Sequence, residues 1–303
     1  MPAAGTDEGF TAPIGDAMNS RHFVRWLALL SFVVGSLITP APSGVTITSE
    51  AQAGGLDLDF RAFYDPNRAT EQRTLSKPYQ ALMSELSLAM GSRMVGPAAS
   101  LGALGFEASY ELSFVGTNYK AAYWKDAASA PAATVTTGQL RVRKGLPYGL
   151  QLGANLTHLY DSNMWAVGTE MNMSLIDGFA NIPDLAVRTS INVVLGNADL
   201  GMLIVGGDVI LSKSFGVAGL FSLQPWAAYS FAFTHVSTHQ IDVYPTASSI
   251  QPDLMLLKQI NNTSHRAAFG LRVVVTRVSV GFEFLRSFTD DLSVMTGKLG
   301  VDF

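Results

Sequence analysis

Phe106-Glu107-Ala108-Ser109-Tyr110-Glu111-Leu112-Ser113-Phe114 changes polarity at every step. In a β-strand successive side chains point to opposite faces. Phe106, Ala108, Tyr110, Leu112 and Phe114 therefore form one apolar face, and Glu107, Ser109, Glu111 and Ser113 form a polar one. The composition says what that apolar face meets. Charged residues make up only 15% of the 303-residue chain, against about 25% in ordinary soluble domains, and mean hydropathy is +0.24. Beyond the N-terminal region no apolar run reaches the roughly 18 residues that a membrane helix needs. The longest, Val193 to Leu211, is broken by Asn197, Asp199 and Asp208. An apolar chain without helical spans, alternating with period two, is expected to be a transmembrane β-barrel with lipid on one face of each strand.

Nine further segments read in the same way: Val135 to Arg143, Tyr148 to Tyr160, Met164 to Leu175, Asp184 to Val194, Met202 to Ser212, Phe221 to His235, His265 to Val275, Val278 to Leu285 and Leu292 to Phe303. The expected fold is all-β: an antiparallel up-and-down barrel of about ten strands over residues 105–303, with eight or twelve also compatible. An even count puts both ends of the barrel on one side. The longest gaps, after Phe114 and after His235, both fall where an up-and-down path places the cell exterior.

Upstream, Arg21 and Arg25 precede the apolar stretch Trp26 to Ile38, which suits a signal-peptide core. Ala51-Gln52-Ala53 offers a cleavage site, so residues 1–53 are expected to be an export leader, with Met18 as an alternative start. Residues 54–104 do not alternate. Leu82, Leu86 and Met90 recur at helical spacing, with Ser76 as N-cap and Pro78 in the first turn, where its missing N–H does no harm. This is expected to be a periplasmic segment with a short helix, resting on the barrel mouth or entering the lumen as a plug.

The chain stops at Leu299-Gly300-Val301-Asp302-Phe303. Here the sequence resembles Gram-negative outer-membrane β-barrel proteins, whose last strand alternates and ends in an aromatic residue read by the barrel assembly machinery. Met295, Leu299, Val301 and Phe303 share the outward face and form the matching signal. The resemblance implies export, outer-membrane lipid as surroundings and the assembly machinery as partner. It assigns no subfamily.

The inward face carries six acids, Glu107, Glu111, Glu170, Asp208, Glu283 and Asp302, and six bases, Arg141, Arg143, Arg188, Arg266, Arg272 and Lys298. Equal numbers point to cross-strand pairing, because an unpaired buried charge is costly. Expected pairs are Arg272 with Glu283 and Arg188 with Asp208, with Lys298 and Asp302 expected to meet Glu107 or Glu111 where the last strand closes on the first.

The chain has no cysteine, which removes disulfides, thiolate metal sites and cysteine nucleophiles. No nucleotide loop or zinc-protease pair is present, so neither cofactor nor metal is expected, and a net charge of −4 without a basic block gives no sign of nucleic-acid binding. His235 and Ser237 share an outward face. This pair is similar to the His-x-Ser of outer-membrane phospholipases of the A type, which add an Asn from a neighbouring strand; Asn261 and Asn262 precede the next strand here. Three functions follow as expectations: a narrow porin-like channel or transport protein for small solutes or hydrophobic molecules; a structural or interaction barrel with an ion-paired, filled lumen; and, more remotely, a lipid-acting hydrolase.

Overall fold

The computed structural model describes residues 54–63, 76–93, 96–197, 199–217, 219–238, 241–242, 254–255 and 259–303. The expected leader, residues 1–53, lies outside them. Ten antiparallel strands close into a barrel: β1 (Phe106–Gly116), β2 (Thr134–Gly145), β3 (Leu150–Leu159), β4 (Trp165–Ile176), β5 (Asp184–Leu195), β6 (Leu200–Ser212), β8 (Phe221–Thr238), β11 (Ile260–Val275), β12 (Val278–Ser287) and β13 (Ser293–Asp302). Each pairs with its neighbour, and β1 against β13 completes the ring, Glu107 opposite Asp302 and Val115 opposite Val294. Short β7 (Phe215–Val217) folds back on β8, and β9 (Ile241–Asp242) pairs with β10 (Leu254–Met255) in the long connection between β8 and β11. With every edge paired, no backbone donor row faces lipid.

β1 begins and β13 ends at one rim, where Phe106 and Phe303 exchange backbone hydrogen bonds at 3.0 and 2.8 Å. This terminal rim also holds the turns 146–149 and 276–277. The opposite, loop rim carries the two longest connections, 117–133 and 239–259. Burial follows the alternation of the sequence along most of each strand. Tyr110, Phe114, Leu140, Leu156, Met171, Ile191, Val209, Phe231, Phe269, Phe282 and Leu299 are exposed on the outer face, while the residues between them are buried. An outer surface so apolar on every strand is stable in hydrocarbon and would aggregate in water. Glycines under aromatic side chains tighten this surface: a Cβ at Gly207 would stand 2.4 Å from the Phe231 ring, and one at Gly138 would be 2.7 Å from both the Tyr110 and Tyr160 hydroxyls.

The ten strands are those expected, but several run further toward the loop rim, β8 and β11 furthest. β8 ends at Thr238, and β11 starts at Ile260 rather than His265. Asn261 and Asn262, expected ahead of the strand, lie within it, with Asn261 directly opposite His235. Polar residues stand on both faces at this end, so the apolar period that marks a lipid-bathed strand fades before the hydrogen-bond ladder does.

The segment before the barrel departs from the expectation of a periplasmic segment resting on the mouth. Its helix, Ser76–Met90, is inside the lumen. It touches β2 and β3 on one side and β8 and β11 on the other, strands diametrically opposed in the ring, which only an inner position allows. Tyr79, Leu82, Met83, Leu86, Leu88 and Met90 are fully buried, and so are Ser84, Glu85 and Ser87. No helix among the described residues is long and apolar enough to cross a membrane by itself.

Candidate functional site: the lumen and its plug

The lumen has two zones, and the side-chain sequence of each strand sets their boundary. Toward the loop rim the inward positions turn apolar on strand after strand: Val115, Val135, Leu159, Ala166, Val194, Met202, Val236, Ile260, Leu285 and Val294, all buried. Together with Leu82, Met83, Leu86 and Met90 of the helix and with Leu56, Leu58, Phe60 and Phe63 they form one apolar cluster. An empty collar of this kind would expose its apolar wall to water. Each large side chain that fills it contributes roughly 1.5–3 kcal/mol. The collar is why the helix sits in the barrel and not beside it. Two rings above it, Phe60 and Phe63, close on Tyr79 at 6.0 and 5.6 Å between centroids.

The second zone, toward the terminal rim, holds the charges. Glu107 is its hub: it accepts from Arg143 at 2.7 Å, from Lys298 at 2.6 Å and from Arg272 at 3.0 Å. Arg272 also donates to Asp302 at 2.6 Å. The expected pairing of Arg272 with Glu283 gives way to this one. Arg272 is in register with Gly281, an inward position without a side chain, and reaches over it past β12 to β13 and β1. A second group runs along β1, β2, β4, β5 and β6. Arg188 donates to Asp208 at 2.8 Å and to Glu170 at 3.3 Å, and Arg141 lies 3.3 Å from Glu111 and 3.8 Å from Glu170. Arg266 donates to Ser264 at 3.0 Å, and its guanidinium stands next to Gly91, just past the helix. Glu283 is buried on β12, opposite Gly270 and Thr296. Of the twelve charged residues read as inward, eleven are buried, and Asp302 at the rim is partly so.

Sequence reasoning did not find the plug's own contribution to this network. Arg93 folds its guanidinium back onto the helix C-terminus, donating to the Leu88 and Ala89 carbonyls at 2.6 and 3.0 Å. A cation there satisfies orphan carbonyls and suits the helix dipole. Its own carbonyl accepts from Arg141 at 2.6 Å and from Arg188. Ser92 adds contacts to Glu170 and Arg141. The available signal was one basic residue right behind an apolar helix, the sole charge between Leu86 and Leu104.

A second unread residue is Glu85. Its carboxylate accepts from the Asn118 backbone at 3.1 Å, the Asn118 amide at 2.9 Å, the Tyr123 hydroxyl at 2.6 Å and the Trp124 indole at 2.7 Å. Asn118 belongs to connection 117–133, Tyr123 and Trp124 to its short helix Ala122–Ala127. Glu85 thus fastens the longest described loop to the plug. Burial, with the Glu85 carboxylate alongside, holds the Tyr123 hydroxyl above the ordinary tyrosine range. Glu85→Ala leaves these donors without their acceptor, a cost of about 1–3 kcal/mol. Cleavage at the exposed Lys120 and Lys125 by a lysine-directed protease should then rise about tenfold or more while the barrel stays folded. Unchanged cleavage would show that the loop is held elsewhere.

The outward residues are where alternation put them. Met295, Leu299, Val301 and Phe303 are exposed on β13 and the chain end. His235 continues the outward row of Phe231 and Phe233, and its Nδ1 lies 2.7 Å from Asn261 Oδ1. Because the amide oxygen only accepts, Nδ1–H is the donor and Nε2 carries the lone pair. Ser237 shares that face, and its hydroxyl makes no hydrogen bond to His235.

Comparison with known proteins adds the fold's company. No family model matches the chain, and no curated protein does. Among solved structures, the chain is similar to the outer membrane protein Omp33 of Acinetobacter baumannii, with 11% identity over 66% of this chain and 98% of that one, TM-score 0.30. It is similar to Ail, the attachment invasion locus protein of Yersinia pestis, with 11% identity over 66% and 97%, TM-score 0.26. It is also similar to the translocator domain of the autotransporter NalP from Neisseria meningitidis, with 7% identity over 76% and 99%, TM-score 0.34. By its own architecture, a closed, antiparallel ring of ten strands with an apolar outer face, the chain has the fold of a transmembrane β-barrel.

Proposed function

We propose that this protein is an internally plugged barrel, closed at rest by its own N-terminal segment and working at its loop rim and lipid face rather than as a standing pore. One observation carries this reading: the helix Ser76–Met90 touches walls on opposite sides of the ring, and Arg93 and Ala98 beyond it are bound to wall side chains. The charge pairs support it as well, since acids and bases that neutralise one another offer no preference for ions of one sign. Transport of small solutes then requires the plug to leave. Protein refolded into planar bilayers, with insertion verified, should give no steady conductance. Steady ohmic current through the wild-type barrel would overturn the proposal. The outward Met295, Leu299, Val301 and Phe303 are the face we assign to recognition by the assembly machinery.

A second reading, lipid hydrolysis, is favoured by the His235–Asn261 contact. An imidazole oriented by Asn261, two residues from an outward serine just above the apolar belt, has the makings of a base and a nucleophile. Hydrolysis of phospholipid in mixed micelles should be lost in both His235→Ala and Ser237→Ala. Equal activity in wild type and both variants would remove this reading.

A further inference from the structure

Ten strands alone leave both ends of a barrel on one side, yet this chain has one more passage. Gly54–Phe63 is tied to three loop-rim connections. Leu56 N–H donates to the Asp161 carbonyl at 2.9 Å, and Asp57 accepts from the Asn163 backbone and side chain at 2.8 and 2.9 Å. Asp59 N–H donates to the Ala127 carbonyl at 2.8 Å, and Asn197 donates to the Leu58 carbonyl at 3.2 Å. Arg93 then meets the middle of the wall. Further along, Ser100 N–H donates to Asp177 at 2.7 Å, and the Gly105 carbonyl accepts from Gly145 at 2.9 Å, both at the terminal rim. The described parts of this segment therefore lie in turn at the loop rim (54–63), inside the lumen (76–93) and toward the terminal rim (96–105), before β1 turns back.

The wall holds the lower part of this path by its main chain. Arg141 and Arg188 donate to the Arg93 carbonyl. Ser212 accepts from Ala98 N–H at 2.9 Å, Ser174 donates to the Ala98 carbonyl at 2.6 Å, and Gln151 donates to that of Ala99 at 3.4 Å. These wall side chains come from β2 to β6. The side chains they enclose are small: Gly96, Pro97, Ala98, Ala99 and Ser100. Close quarters explain this, since a Cβ at Gly96 would already stand 3.1 Å from the Arg143 guanidinium. Groups that satisfy backbone donors and acceptors bind an extended peptide with little regard to its sequence, provided its side chains are small.

We infer that the lumen is a polypeptide track through which the chain carries its own N-terminal flank, so that Gly54–Phe63 is presented with the loops, on the side of the membrane opposite Phe303. This rests on the plug reading above and adds a direction to it. Gly54–Phe63 and Phe303 then lie on opposite sides. A flank carried this way is an interaction surface made of the protein's own polypeptide, set among the loops that Glu85 and Asp57 hold together.

The absence of native cysteine allows a direct test. Three single variants, R61C, K120C and R277C, each replace an exposed residue, in the flank, in a loop-rim connection and in a terminal-rim turn respectively. A membrane-impermeant maleimide is applied to intact cells and again after the outer membrane is permeabilised. The inference expects R61C to follow K120C, labelled from the same side, while R277C labels from the other. R61C labelled together with R277C, or unreactive from both sides, overturns it. The outcome is separable from the conductance measurement. A silent barrel with R61C on the R277C side refutes the threading and leaves the plug, whereas a conducting barrel with R61C beside K120C refutes closure and leaves the threading.

Discussion

Deletion of residues 54–100 should turn a silent barrel into a conducting one. A helix with its side chains is roughly 10–12 Å across, about what an interior of this strand number holds, so removing it opens a bore along the barrel axis. The ring itself should survive. Its backbone hydrogen bonds run between strands from Phe106 to Phe303, and none of the deleted residues contributes to that ladder. Folding is checked by the shift in gel mobility between heated and unheated samples. Conductance should appear as discrete steps with weak preference between cations and anions, since Glu107, Glu111, Glu170, Asp208 and Asp302 face Arg141, Arg143, Arg188, Arg272 and Lys298 across the bore. A deleted barrel that folds and remains silent would mean that the walls close the passage without the plug.

Glu107→Ala should be the most damaging single substitution in the wall. It removes one carboxylate from three cations, Arg143 at 2.7 Å, Lys298 at 2.6 Å and Arg272 at 3.0 Å, all in the buried interior. Arg272 keeps Asp302, but Arg143 loses the carboxylate that it bonds at 2.7 Å. Breaking a buried ion pair from one side costs about 3–5 kcal/mol, because the surviving charge stays buried and uncompensated. Urea unfolding of the refolded protein should show a loss of that order, with Glu107→Gln milder because its amide oxygen still accepts. A change within about 0.5 kcal/mol, the range of ordinary surface substitutions, would mean that water already solvates this cluster.

The barrel was legible because lipid imposes a two-residue period on every strand, and Phe106 to Phe114 displays it without interruption. Legibility failed where lipid stops imposing it. Ile260 to Ser264 is strand above the apolar belt, with polar residues outward, so Asn261 was read as lying before the strand and its pairing with His235 was not anticipated. The lumen was legible in composition but only partly in partners. Arg188 and Asp208 are register neighbours and meet directly, whereas the reach of Arg272 to Asp302 depends on the bare backbone of Gly281 between them. Of the two expected courses for the N-terminal segment, one further feature of the sequence favours the plug. Val115, Val135, Leu159, Val194, Val236 and Val294 put apolar side chains on the inward face at the same height on six strands. An apolar ring inside a barrel calls for an apolar occupant, and Leu82, Leu86 and Met90 were the helix available to fill it. Glu85 and Arg93 carry no periodic signal; only the loop and wall groups that meet them in three dimensions give them a role.

The most direct test of a lumen filled by its own chain is a cross-link between plug and wall. Asn262 Nδ2 on β11 donates to Ser84 Oγ on the helix at 2.7 Å, and in a chain free of cysteine S84C/N262C would be the sole thiol pair. S113C/T296C, whose parent hydroxyls lie 2.9 Å apart on adjacent strands, serves as the reference. A short bifunctional thiol reagent should join both pairs to similar extents in the folded protein and neither after unfolding. Efficient joining of S113C/T296C with none of S84C/N262C would contradict a helix inside the barrel.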